Sequence, residues 1–98
     1  MPRGDIQVPY PLGVTQTVAY STSARTGAGV GSQTRTVAIY ASTDCAYKLG
    51  DDTVIATLAG GTFLPAGQQH FVRIRSGEYV AAIATGAGGD MYVSEFGS

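Results

Sequence analysis

Two side chains in this chain have the reactivity expected of a nucleophile and its base: Cys45 and His70, the single cysteine and the single histidine. A thiol does covalent chemistry as a thiolate, so it needs a base within reach and a site that stabilises developing negative charge. No nucleophile elbow and no third, orienting residue accompanies the pair. A lone cysteine on a strand is more simply a small buried hydrophobe. One histidine and one cysteine also fall short of a zinc cage without carboxylate help. Asp51-Asp52 follows Gly50 and lacks the alternating oxygen ligands of a calcium loop. Aspartate bonding to nearby main-chain amides in a tight turn explains it better. Gly27-Ala-Gly-Val-Gly-Ser32 carries no lysine and so cannot serve as a nucleotide phosphate loop; its composition reads as a flexible linker. Arg3-Gly-Asp5 matches an adhesion tripeptide, a match of a length that arises by chance. The reading assigns no catalytic residue, no metal ligand and no cofactor, and the chain is expected not to be an enzyme.

Six tyrosines and three phenylalanines remain. Spread along the chain, they suit core and cross-strand pairs. Tyr40 and Tyr92 are candidate exposed anchors for a partner, because tyrosine is enriched at interfaces. Val30, the one sizeable apolar residue of its segment, is a third candidate.

The elements that carry these residues read as strands. Arg35-Thr-Val-Ala-Ile-Tyr40, Asp44-Cys-Ala-Tyr-Lys-Leu49, Thr53-Val-Ile-Ala-Thr-Leu58, His70-Phe-Val-Arg-Ile-Arg75, Glu78-Tyr-Val-Ala-Ala-Ile83 and Asp90-Met-Tyr-Val-Ser-Glu95 are short apolar or alternating runs. Gly-Asp-Asp, Gly-Gly, Leu64-Pro-Ala-Gly67 and Ser-Gly signals separate them. Val14 to Tyr20 alternates less cleanly but suits a strand, and the prolines of Ile6-Gln-Val-Pro-Tyr-Pro11 favour an edge segment. No long segment has helical periodicity, although Ala56 to Ala59 is ambiguous. The expected fold is all-β: one small antiparallel sandwich or barrel of about seven or eight strands. Val37, Ile39, Val72, Ile74, Val80 and Val93 are its expected core.

Residues 21–33 are rich in Ser, Thr and Gly. With so little apolar surface they are expected to be mobile alone and to order only against a neighbour. The chain is accordingly one domain overall, with an N-terminal extended arm or loop, residues 1–33, holding a possible edge strand, and a β-sandwich body, residues 34–98.

Charge narrows the partners. Charged residues make up 13% of the chain, against about 25% in ordinary globular proteins. A surface of Thr, Ser, Gly, Ala and Tyr suits packing against protein. The net charge of −1 and the lack of a basic stripe give nucleic-acid binding no support; Arg73 and Arg75 are expected on one solvated strand face. No apolar run reaches the roughly 18 residues of a membrane span, and the first residues lack the apolar core of a secretion signal. A single cysteine provides no disulfide framework, which suits assembly in a reducing cytoplasm.

The ordered set Val37-Ala-Ile-Tyr-Ala-Ser-Thr-Asp-Cys45, Leu64-Pro-Ala-Gly67, Gly77-Glu-Tyr-Val-Ala-Ala-Ile83 and Met91-Tyr-Val-Ser-Glu95 resembles small β-rich virion structural proteins of tailed bacteriophages. The likeness spans residues 35–96. It implies an all-β fold and a structural place in the virion after assembly in the host cytoplasm. Capsid decoration is the leading expectation. The implied partners are other virion proteins, such as the major capsid protein, and further copies of the chain. Head–tail or tail components and a host-surface or carbohydrate-binding virion module are the alternatives.

Overall fold

Short apolar or alternating runs bounded by turn residues set the strands. The computed structural model describes residues 10–97. They form eight strands and no helix: β1 (Tyr10–Tyr20), β2 (Ala24–Arg25), β3 (Thr36–Ala41), β4 (Cys45–Gly50), β5 (Thr62–Leu64), β6 (Gln69–Arg73), β7 (Tyr79–Ala84) and β8 (Gly89–Gly97). Every pairing is antiparallel. Two four-stranded sheets result, ordered β1-β8-β3-β6 and β2-β7-β4-β5. Arg3-Gly-Asp5 and the first proline of the edge segment lie outside the described residues; Pro11 does sit on an edge strand, β1.

The sheets face each other across one apolar layer, as in a sandwich. Val18, Val37, Ile39, Met91 and Val93 from the first sheet meet Cys45, Tyr47, Val80, Ala82 and Ala84 from the second. Of the six expected core residues, Val37, Ile39, Ile74, Val80 and Val93 are buried. Val72 is half-buried because β6 is an edge strand with no neighbour to close over it. The expected turns also form. Gly67 and Gly77 adopt positive φ, 77° and 83°. Each is the third residue of a turn closed by a main-chain bond, Gln68 N–H to Pro65 O and Glu78 N–H to Arg75 O, a place that favours glycine.

Two expectations need correction. The run Thr53 to Leu58 is not a strand. Residues 51–61 instead cross the outer face of the second sheet as a strap. Val54 and Ala56 pack on Ala81 with Tyr79 and Ile83 beside them, and Ala56 N–H is held by Ser23 Oγ at 2.9 Å. The in–out alternation of Val54, Ile55 and Ala56 is that of a strand, but it lies on a sheet rather than in one.

The second concerns residues 10–33, which pack as part of the sandwich. β1 is a full member of the first sheet, and residues 24–30 run along the edge of β7. Thr26 N–H bonds Val80 O, Val30 N–H bonds Glu78 O, and Gly77 N–H returns to Val30 O, all at 2.8–2.9 Å. Gln16 ties the same segment to β1 by accepting from Ala28 N–H and donating to Ala28 O. The glycines here serve close approach, not looseness: a Cβ at Gly29 would lie 2.4 Å from Gly77 O. Main-chain bonding, which side-chain composition does not reveal, docks this segment.

Candidate functional site

On β3, Val37, Ile39 and Ala41 enter the core, so Thr36, Ala38 and Tyr40 point to the outer face of the first sheet. On β8, Met91, Val93 and Glu95 point inward, leaving Tyr92, Ser94 and Phe96 outside. The register sets Tyr40 directly opposite Tyr92. Their rings lie 6.1 Å apart at 48°, and each residue keeps 39% of its surface exposed. Phe71 on β6 stands opposite Ala38 and meets Phe96 edge-to-face at 5.6 Å. Phe71 is 57% exposed. Four aromatic rings therefore line one sheet face, with Ala38 and Ser94 between the pairs. Aromatic pairs of this geometry help hold a sheet, but rings this exposed also offer apolar surface to a partner.

Tyr40 and Tyr92 thus form an exposed pair. Val30 does not join them. It is 4% exposed and belongs to the core, because the pairing with Glu78 and Gly77 turns its side chain inward. Phe71 shares strand parity with Arg73 and Arg75, which predicts it opposite the core side of Val72 and Ile74, and it is exposed there. Phe96 carried no such signal in the sequence.

Cys45 and His70 are not brought together as a nucleophile and base. Cys45 is fully buried, and burial pushes its thiol pKa up, the opposite of what an attacking thiolate requires. His70 Nδ1 instead meets Tyr47 Oη at 3.1 Å. That contact links β6 of one sheet to β4 of the other. Burial likewise raises the pKa of Tyr47 and of Tyr20. Tyr20 Oη donates to Thr43 O at 2.8 Å and lies 2.9 Å from Thr43 Oγ1. Asp51 is a turn residue: its Oδ1 accepts from Thr53 Oγ1 and Thr53 N–H at 2.6 and 2.9 Å, which lowers its pKa. Among the described residues no three His, Cys, Asp or Glu side chains cluster closely enough to hold a metal ion.

A cleft of about 320 Å³ lies at one end of the sandwich, lined by Ser42, Thr43, Asp44 and Thr85 among others. Its polar atoms are engaged internally. Asp44 Oδ1 accepts from Ala66 N–H, Ser42 Oγ from Asp90 N–H, and Thr43 Oγ1 donates to Ala87 O. These groups secure loops to one another. The chain matches no protein-family model, no curated protein and no solved structure.

Proposed function

We propose that this chain is a bacteriophage virion structural protein that binds the outer capsid by protein–protein contact. Its docking surface is the aromatic face of the first sheet. The observation that carries this reading is the row formed by Tyr40, Tyr92, Phe71 and Phe96 on a sheet face that no other described segment covers. Low surface charge supports it, since burying few charges keeps the desolvation penalty of docking small. The partner is another virion protein, with the major capsid protein first. Repetition on a lattice lets each contact be modest, because neighbouring copies raise the effective concentration of the next.

A carbohydrate-binding role is the second reading, favoured by the exposed Tyr40–Tyr92 pair. The 48° tilt between the rings counts against one flat stacking platform, and the hydroxyls of the nearby cleft already have partners. One experiment separates the two readings. Tyr40→Ala with Tyr92→Ala is added to purified capsids that lack the chain, and occupancy is measured beside glycan-array binding. The capsid reading expects occupancy to fall at least tenfold with no glycan signal from either protein. Unchanged occupancy, or a glycan signal that the double variant abolishes, removes it.

A further inference from the structure

The main-chain bonding of the first sheet fixes which groups on its last strand are free. In an antiparallel ladder, residues alternate between bonding one neighbour and pointing away from it. Ile74 N–H bonds Arg35 O and Ser42 N–H bonds Asp90 O. Carried along the registers, these bonds direct Val37 and Ile39 of β3 toward β6, and Thr36, Ala38 and Tyr40 toward β8. On β6, His70 and Val72 therefore bond β3. The main-chain groups of Gln69, Phe71 and Arg73 point out of the sheet, and no described residue bonds them.

The four sheet edges differ in their protection. β2 and β5 are two and three residues long. β1 carries Pro11 and a register break between Pro11 and Thr15; its regular half offers Thr15, Thr17 and Ala19, with no large apolar side chain to bury. β6 has five regular residues, no proline and no bulge, and its central residue is the exposed Phe71. An unprotected edge of this kind pairs readily with another strand.

We propose that β6 pairs antiparallel with β6 of a second copy of this chain about a twofold axis at Phe71. The arrangement is self-complementary. Phe71 faces Phe71 of the other copy, and each Gln69 faces the other copy's Arg73, so no like charges stand opposite. The outward groups of Gln69, Phe71 and Arg73 then form about six main-chain hydrogen bonds. The two four-stranded sheets become one of eight strands. The Phe71–Phe96 pairs join into a single aromatic band that crosses the axis. This inference rests on the ladder and the edge and is independent of a place in the virion.

The test combines sedimentation with amide hydrogen exchange across a concentration series. A monomer–dimer equilibrium is expected. Protection of the Gln69, Phe71 and Arg73 amides should rise with concentration, while His70 and Val72 stay protected throughout. Gln69→Glu places a carboxylate opposite the second copy's Arg73 and is expected to tighten the dimer roughly two- to thirtyfold, from two cross-strand pairs. Gln69→Arg should weaken it by a similar factor. Both changes are at an exposed side chain, so the monomer fold should persist. Phe71→Lys should leave only monomer. A monomer at millimolar concentration, a dimer insensitive to both Gln69 variants, or concentration-dependent protection at Thr15, Thr17 and Ala19 instead would overturn the proposal.

Discussion

The outer faces of the two sheets are built to opposite plans. The second sheet has small residues at the centre of that face, ringed by Tyr79, Ile83 and the exposed Phe63: Ala46 and Ala81 are almost wholly buried because the strap of residues 51–61 lies over them. Val54 and Ala56 fill the space, and Gly61 allows the close approach, since a Cβ there would lie 2.9 Å from the Ala46 methyl. The first sheet presents Tyr40, Tyr92, Phe71 and Phe96 with no covering segment among the described residues. Small side chains let a third layer settle; large rings stand proud and support one another. The covered face is thus part of the folding core, and the bare face keeps its aromatic rings partly in solvent.

The difference can be broken hardest on the covered side. Deleting residues 21–33 removes β2, the core side chain of Val30 and the Ser23 hydroxyl that holds the strap. Loss of the cooperative thermal transition is expected. A deletion protein melting within a few degrees of the intact chain would restore the picture of a detachable arm.

Next in size is a charge placed beneath the strap. Val54→Asp replaces the apolar contact with Ala81 by a partly desolvated carboxylate and should cost about 2–4 kcal/mol, read by urea denaturation. The same change at Tyr40 should cost less than about 1 kcal/mol, because the group stays in water. Equal costs at the two positions would dissolve the contrast.

Glu95 offers a test at the sandwich end. Its Oε1 accepts from Thr34 Oγ1 at 2.6 Å and Gly31 N–H at 3.1 Å, tying both ends of the exposed turn 31–34 to β8. Glu95→Ala should cost about 1.5–3 kcal/mol, the range for bonds to a charged acceptor. It should also raise amide exchange at Gly31 and Thr34 before it affects β3.

The smallest effects are those of pH. Burial raises the folded-state pKa of Cys45, Tyr20 and Tyr47, so the unfolded chain releases these protons first. Their contribution is complete below about pH 8.5 and declines as pH rises, with the tyrosines following from about pH 10. Asp51 runs the other way. Its folded pKa is lowered, so its contribution is present above about pH 4 and is lost on further acidification. Asp51→Asn should flatten only that acid limb of the stability curve. An unchanged acid limb would show that the turn adds nothing measurable.

Local alternation and turn chemistry in the sequence were enough to determine the all-β class, the strands around Val37, Tyr47, Val72, Val80 and Val93, and the turns at Gly67 and Gly77. Those signals are local: two-residue periodicity and the φ preference of glycine act within a few residues. The tertiary structure alone decided three other matters. It placed Thr53 to Leu58 on a sheet rather than in one, which the same alternation permits equally. It docked residues 21–33 through main-chain bonds that no side-chain pattern encodes. It set Tyr40 beside Tyr92, residues 52 positions apart in the chain, because the partner of a strand is fixed by register and burial across the whole fold.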